Sequence, residues 1–189
     1  YWTKRKMIIK DFEIDGLLLI EPNIFNDERG YFFESYNLEK FNKAIGHKIN
    51  FVQDNHSFSS KDTLRGIHYQ LPPFAQGKLV RVIEGHVFDV AVDLRAGSST
   101  FGEWVGVHLD GKSMNQFWVP EGFGHGFYVL SETAHFLYKT TNFYNRESEG
   151  SILWNDPDLS IQWPIGGASP LVSNKDDQSP YFKDAKYFD

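Results

Sequence analysis

The chain has 189 residues, the length of one domain, and its 19 lysine and arginine residues against 25 aspartate and glutamate residues give a formal net charge of −6. This acidic balance argues against nucleic acid or an anionic membrane as the main partner, because both attract a basic face. Hydrophobic residues make up 41% of the chain, which excludes global disorder, and the aromatic share of 16% favours β-structure and ring-lined pockets over a helical bundle.

The sequence shows neither a targeting segment nor a cysteine. The apolar run Met7–Ile9 is too short for the core of about 7–15 residues that a signal peptide needs, and no stretch reaches the roughly 20 residues of a membrane span. Without cysteine there is no disulfide, thiolate metal ligand or cysteine nucleophile. We expect a cytoplasmic protein with a single domain over residues 1–189, in which residues 1–6 are a leader or an expression remnant before a native start at Met7.

One segment near the N-terminus has the pattern of a helix. Asn37 is a good N-cap, and apolar residues follow at helical spacing at Leu38, Phe41 and Ile45. Gly46 supplies the stop. The segment predicts a short peripheral helix.

Period-two alternation dominates the middle of the chain. Between Val87 and Arg95 the apolar residues at even positions share one face, while Asp89, Asp93 and Arg95 face the other way. Such runs, separated by Gly, Asp and Pro, favour an all-β sandwich or barrel. The predicted strands cover residues 79–83, 87–94, 104–109, 116–119 and 134–140. Residues 166–189 are polar and interrupted by proline, and they predict an irregular C-terminal wrap.

Polar side chains are unusually dense between positions 53 and 70. A lone strand histidine is more often a hydrogen-bonded structural residue than a catalyst, but here Arg65 and His68 share one strand-like run. Because they are three positions apart, a regular strand would place them on opposite faces. If both serve one site, the strand must be irregular at Gly66, the residue between them that most easily allows a bulge.

The segment Pro120–Phe127 is rich in glycine and contains His125. Its simplest interpretation is a β-turn with a capping histidine. The spacing Pro-x-Gly-x-x-His is also similar to the second motif of the cupin superfamily, whose members are jelly rolls. Metal-binding cupins add an upstream His-x-His, which this chain lacks. A three-histidine metal site is therefore disfavoured, although four further histidines leave it open: His56, His86, His108 and His135.

Three other polar residues look ordinary from spacing alone. Tyr138 shares a face with Phe136 and Thr140, which is typical of a core tyrosine, although a strand tyrosine opposite a histidine can also donate a proton. Lys78 and Lys175 look like surface lysines.

Taken together, the motifs closely resemble the dTDP-4-dehydrorhamnose 3,5-epimerase family from about Ile14 to Asp176. They are Asp27–Ser35, Phe51–Ser57, Leu64–His68, Gln76–Arg81, Val119–Phe127, Phe136–Lys139, Ser148–Gly150, Trp154–Pro157 and Ser173–Asp176. The resemblance implies a cupin-type jelly roll with a few short peripheral helices. It also implies an isomerase that inverts C3 and C5 of dTDP-4-dehydro-6-deoxyglucose in dTDP-L-rhamnose biosynthesis, with neither a metal nor a cofactor.

The resemblance also implies roles for individual residues. His68 would be the base that removes the α-protons, with Asp176 as its partner, or the adjacent Asp177. Tyr138 would be the acid on the opposite face, and Lys78 would lie near the keto oxygen. The remaining matches are nucleotide-sugar contacts: Arg29, Glu34, Gln53, Asn55, Arg65, His125, Glu149 and Lys175. The family is dimeric, so we expect a homodimer in which the segment around Arg29 reaches the partner's site.

Three other functions remain open at this point. A mono-epimerase or a ketoisomerase could use the same site on a related 4-keto sugar nucleotide. A non-catalytic sugar-binding cupin would keep the cationic contacts, and a metal-dependent cupin oxygenase would need metal ligands. The nucleotide base preference and the pathway end product do not follow from the residues.

Overall fold

Two antiparallel β-sheets pack face to face in the computed structural model, which describes residues 7–189. The strands are β1 (Ile8–Asp11), β2 (Leu18–Glu21), β3 (Ile24–Asp27), β4 (Gly30–Phe33), β5 (Gln53–Ser60), β6 (Leu64–Gln70), β7 (Lys78–Glu84), β8 (His86–Asp93), β9 (Trp104–Asp110), β10 (Gln116–Val119), β11 (Phe123–Val129), β12 (Thr133–Thr140) and β13 (Glu149–Ser151). One sheet has the order β1-β2-β10-β7-β12-β5 and the other β13-β6-β11-β8-β9, while β3 and β4 form a separate hairpin. This arrangement confirms the predicted all-β, cupin-type fold.

The apolar core lies between the two sheets because alternate side chains of each strand point inward. Val80 and Phe136 of the six-stranded sheet pack with Ala91 and Phe127 of the five-stranded sheet. The rings of Phe127 and Phe136 stack across the interface with centroids 4.2 Å apart. Burying each such side chain contributes about 1.5–3 kcal/mol, so this end of the sandwich holds the sheets together.

A single longer helix, α1 (Leu38–Ile45), covers the outer face of the six-stranded sheet. The Asn37 side chain caps it by accepting a hydrogen bond from the Lys40 amide, and Gly46 ends it in the left-handed conformation at φ 78°. Phe41 is buried against Trp118. The predicted helix is therefore confirmed.

The C-terminal segment covers the outer face of the five-stranded sheet. It contains a short helix, α2 (Asn174–Asp177), a 3₁₀ turn at Phe182–Asp184, and isolated β-bridges that pair Leu171 with Thr63 and Phe188 with Arg95. Phe188 packs in a cluster with Ile67 and Tyr69, and the Tyr69 hydroxyl donates to the Lys186 carbonyl at 2.7 Å. Since Asp176 belongs to α2, this wrap also carries a carboxylate to the edge of the sandwich interior.

Strand β6 is irregular at the predicted place. His68 pairs with His125 of β11, but Arg65 pairs with Phe127, so three steps along β6 match two steps along β11. Gly66 adopts φ 122°, and a Cβ there would lie 2.6 Å from the Gly126 Cα. The extra residue places Arg65 and His68 on the same inner face, as the bulge hypothesis required.

The segment 1–6, predicted to be a leader or a remnant, lies outside the described residues. No helix within residues 7–189 is both long and apolar enough to cross a membrane.

Candidate active site

One end of the sandwich interior is lined by polar rather than apolar side chains. On the six-stranded sheet, Lys78, Tyr138 and Asn55 occupy inward positions of three adjacent strands. On the facing sheet, His68 and His125 lie directly opposite each other in the register of β6 and β11. The two sheets therefore present polar side chains to each other at this end of the interior, and we call these five residues the polar site.

His68 is paired with a carboxylate 108 positions further along the chain. Its Nε2 lies 2.6 Å from an Asp176 carboxylate oxygen, and the other oxygen accepts the Gly66 amide at 3.1 Å. Burial alone would raise the pKa of Asp176, but the hydrogen bonds from His68 and Gly66 together with the Lys175 charge hold it below its usual value. An ionised carboxylate at Nε2 leaves Nδ1 of His68 as the nitrogen available to a ligand. Asp177 is exposed and makes no such contact.

Tyr138 faces this pair from the opposite sheet. Its ring packs against the apolar core, and its hydroxyl has no hydrogen-bond partner among residues 7–189. Burial raises the pKa of Tyr138, and the nearby Arg65 charge partly opposes the rise. The phenol therefore keeps its proton at neutral pH and can donate it.

Three ionisable side chains are buried together beside His68. Lys78 is 9% exposed, and its Nζ lies 3.5 Å from the His68 carbonyl oxygen. His125 Nε2 lies 2.9 Å and 3.0 Å from the two carboxylate oxygens of Asp89. Burial lowers the pKa of Lys78 to about 8, with the Asp89 and Glu149 charges opposing the shift. Burial likewise raises the pKa of Asp89, against the nearby His125 and Lys78.

Comparison with known proteins agrees with this site and fold. A family model described as dTDP-4-dehydrorhamnose 3,5-epimerase matches residues 11–184. The chain belongs to the dTDP-4-dehydrorhamnose 3,5-epimerase family. It is 56% identical to the dTDP-4-dehydrorhamnose 3,5-epimerase of Shigella flexneri over 176 residues, covering 93% of this chain and 96% of the relative. The Pseudomonas aeruginosa enzyme of the same name is 57% identical over 175 residues, with the same two coverages.

A solved structure extends the comparison to three dimensions. The dTDP-6-deoxy-D-glucose-3,5-epimerase of Legionella pneumophila Philadelphia 1, in complex with dTDP-4-keto-L-rhamnose, matches with a TM-score of 0.90 at 52% identity, covering 93% of each chain. The resemblance predicted from the motifs is confirmed, and the chain is an epimerase of the dTDP-rhamnose pathway.

The positions that match nucleotide-sugar contacts of the epimerase family fall into two groups. Gln53, Asn55 and Arg65 lie on inward positions, where the Gln53 amide donates to Asn55 at 3.0 Å and Arg65 Nε donates to Ser59 at 3.1 Å. Lys175 donates to Glu149 at 2.7 Å at the rim, close to Asp176. These residues form a polar path that leads outward from His68.

Arg29 and Glu34 are not brought to the polar site within one chain. Arg29 is largely exposed at the β3–β4 hairpin and binds Asp27, while Glu34 binds Asn37 and Lys40. Neither forms a hydrogen bond or an ion pair with the residues of the polar site in the described part of the chain.

The structure corrects two interpretations of single motifs. Lys78 is not a surface lysine, because the alternation of β7 turns it inward at a position matched to Val80 and Val82. His125 does not cap a turn, since it lies within the fully buried strand β11. The glycines there serve packing: a Cβ at Gly124 would lie 2.5 Å from Ile67.

Sequence reasoning missed Asp89. The alternation of β8 does not by itself show which face is the inner one, and the inner face is the one that Val87 and Ala91 share with Asp89. A carboxylate flanked by small apolar residues at period two is the signal that could have found it. Ser57 was missed as well; its Oγ is buried on the inner side of β5 without a hydrogen-bond partner among residues 7–189.

The possible metal ligands are dispersed. Within residues 7–189, no group of three or more histidine, aspartate or glutamate side chains is arranged to hold a metal ion. His56 and His135 pair with each other, as do His86 and His108.

Proposed function

We propose that His68, Tyr138 and Lys78 together invert C3 and C5 of dTDP-4-dehydro-6-deoxyglucose to give dTDP-4-dehydro-L-rhamnose. The observation that carries the assignment is the position of the His68–Asp176 pair on one sheet and the Tyr138 hydroxyl on the facing sheet. A base and an acid on opposite walls suit inversion, because a single base that returned its own proton would restore the starting configuration.

Each inversion begins with removal of a proton next to the ketone. His68 Nδ1 takes the proton from C3 or C5, and the electrons of the C–H bond form an enolate on the C4 oxygen. Asp176 stabilises the imidazolium through Nε2. Tyr138 then donates its proton to the carbon from the opposite face. The His68 imidazolium releases its proton to water and the Tyr138 phenolate takes one from water, so both groups are ready for the second carbon.

The enolate needs a positive partner, because a proton next to a ketone is only weakly acidic. The buried Lys78 ammonium is the candidate, and its low exposure strengthens its field. A single contact of this kind typically contributes about 3 kcal/mol to transition-state stabilisation. Because burial brings the pKa of Lys78 to about 8, activity should decline as Lys78 loses its proton in mildly alkaline solution.

The remaining polar residues fit the nucleotide-sugar part of the substrate. Arg65 and Lys175 supply positive charge for the diphosphate, and Arg65 offers the geometry for bidentate contact. Gln53, Asn55, His125 and Glu149 supply donors and acceptors along the same path.

The base is tested by deuterium exchange. In D2O, wild-type protein should incorporate deuterium at C3 and C5, as followed by proton NMR, whereas His68→Asn should lose exchange at both carbons while remaining folded. His56→Asn is the matched control, since His56 is exposed on the outer side of β5 and pairs with His135. Normal exchange in His68→Asn would refute the assignment, and inversion at one carbon only would indicate a mono-epimerase. Exchange without inversion at either carbon would contradict the reaction, and metal analysis of the active protein tests the oxygenase alternative.

We also infer a homodimer in which the β3–β4 hairpin completes the partner's site. Tyr31 and Phe32 of this hairpin are 59% and 68% exposed, and Arg29 projects beside them. Mixing Arg29→Ala with His68→Asn tests this, because a mixed dimer has one site with both native residues. Recovery of about a quarter of wild-type activity is expected after random exchange. No recovery, or a monomer by light scattering, would contradict it.

We also propose that the chain forms a single domain and lies in the cytoplasm. The packing of Phe188 and Lys186 onto β6 supports a single domain that includes the C-terminal wrap. A cytoplasmic location fits a pathway on nucleotide sugars, and cell fractionation tests it.

A further inference from the structure

Asp89 is a buried carboxylate to which the proposed reaction gives no role. It is 0% exposed on the inner face of β8, and carboxylates are rarely buried so completely unless they are paired. Its oxygens contact His125 Nε2 at 2.9 Å and 3.0 Å, and the carboxylate has no other hydrogen-bond partner within residues 7–189. A pair with a purely structural role would have the same contacts, so its location must distinguish a structural role from a role in the reaction.

The pair lies next to the proposed base. His125 is directly opposite His68 in the register of β11 and β6, and Lys78 reaches the His68 carbonyl. Nδ1 of His125 has no hydrogen-bond partner among the described residues. A ring held at Nε2 by Asp89 therefore presents Nδ1 for contact with a ligand.

We propose that Asp89 is a positioning residue, which orients the His125 ring and supplies the counter-charge for the Lys78 ammonium beside His68. The proposal rests on the proposed function, in which Lys78 stabilises the enolate and His125 contacts the substrate. Asp89 itself touches neither substrate nor reacting atoms, and it acts through these two side chains.

The charge on Lys78 depends on few neighbours. Burial lowers the pKa of Lys78 to about 8, and the negative charges that oppose the shift are Asp89 on β8 and Glu149 on β13. Other titratable groups also face inward from the strands around it: His68 and Arg65 on β6, His125 on β11, Tyr138 on β12 and Asp93 on β8. Glu149 is partly exposed and already bound to Lys175, so Asp89 is the stronger counter-charge.

Removal of the Asp89 charge should change the pKa of Lys78 in a predictable direction. Without it, the protonated form of Lys78 loses a favourable interaction, so its pKa falls further below 8. In Asp89→Asn, the alkaline limb of kcat against pH should therefore move to lower pH by about one unit. At pH 8 kcat should fall about fivefold, because a pKa one unit lower leaves about a tenth rather than about half of Lys78 protonated, and KM should change less.

The experiment compares pH profiles of deuterium exchange for wild type, Asp89→Asn, Lys78→Met and the double variant. Asp93→Asn is the matched control, because Asp93 is equally buried on the same face of β8 but binds Arg95 and Ser98. Asp93→Asn should reduce thermal stability without moving the alkaline limb. In the double variant, Asp89→Asn should cause no further shift of a limb that Lys78→Met has already removed.

The pH profiles distinguish a wrong role for Lys78 from a wrong role for Asp89. If the remaining exchange rate of Lys78→Met still declines at alkaline pH as in the wild type, the proposed role of Lys78 is wrong. If Lys78→Met loses the limb but Asp89→Asn leaves it in place, only the role of Asp89 is overturned. Should Asp89→Asn not fold, long-range proton–nitrogen NMR of wild-type protein still decides: the proposal requires a proton on Nε2 of His125, and a neutral ring protonated only at Nδ1 refutes it.

Discussion

Replacing Asp176 by asparagine tests the most specific contact in the site. Asparagine keeps the size of the side chain and an oxygen that can accept the Gly66 amide, but it removes the negative charge 2.6 Å from His68 Nε2. A hydrogen bond to a charged group contributes about 1.5–3 kcal/mol, so loss of imidazolium stabilisation should lower kcat about 10- to 150-fold.

The assay is deuterium incorporation at C3 and C5, which reports proton removal directly. Asp177→Asn is the matched control, since Asp177 is the next residue and is exposed. It should exchange at the wild-type rate. A wild-type rate in Asp176→Asn, or an equal loss in Asp177→Asn, would refute the assignment of Asp176 as the partner of His68.

The same substitution has a defined effect on stability. Although burial opposes it, the hydrogen bond from His68 holds the pKa of Asp176 below 3.8 in the folded protein. A carboxyl group whose pKa is lower in the folded state than in the unfolded state stabilises the fold at any pH above its unfolded-state pKa. That stabilisation is lost as the pH falls through the folded-state pKa. The stability difference between wild type and Asp176→Asn should therefore be full at pH 7 and shrink below about pH 4. A difference that grew on acidification would contradict this.

Three further predictions concern the acid, the bulge and the substrate charge. Tyr138→Phe should retain deuterium exchange but lose efficient inversion at C5, as followed by NMR of the product. An inversion rate equal to that of the wild type would show that the hydroxyl is not the donor. Gly66→Ala places a Cβ 2.6 Å from the Gly126 backbone at φ 122°, so about 1–3 kcal/mol of backbone strain should lower Tm by roughly 2–12 °C. Gly97→Ala is its control, with nothing within 4 Å of the added Cβ, and an equal Tm loss there would refute the packing argument. KM should rise as NaCl increases from 50 to 500 mM while kcat changes little, because salt screens the contacts of Arg65 and Lys175 with the diphosphate; a salt-independent KM would contradict this.

Local pattern was sufficient to predict α1 and the middle strands β7, β8, β9, β10 and β12, whereas it indicated a turn where β11 lies. The cap at Asn37 and the stop at Gly46 define α1 because both act within one turn of the chain. The strands followed from period-two alternation, and even the irregularity at Gly66 was predictable, since two polar residues three positions apart needed one extra residue to share a face. All of these depend on neighbours in sequence.

The pairing of charges could not be predicted in the same way. His68 and Asp176 meet only because the C-terminal wrap returns to β6, and nothing within the weakly patterned α2 indicates that return. Lys78 follows a glycine in a polar stretch, and its burial depends on which face of β7 is the inner one. Motif resemblance supplied these assignments because it carries information about the whole fold.

The separation of exposed from buried charges explains how an acidic chain can bind an anionic substrate. A net charge of −6 repels a diphosphate, so affinity must come from local positive charge, for which we propose the exposed Arg65 and Lys175. The buried charges compensate one another instead: Asp176 is paired with His68, and Asp89 faces both His125 and Lys78. Such groups are costly to bury alone, but once fixed by the two sheets they need little reorganisation when the enolate forms. Burial of the apolar end around Phe127 and Phe136 stabilises the fold and offsets this cost. The residues of the polar end can therefore serve the reaction without having to stabilise the fold.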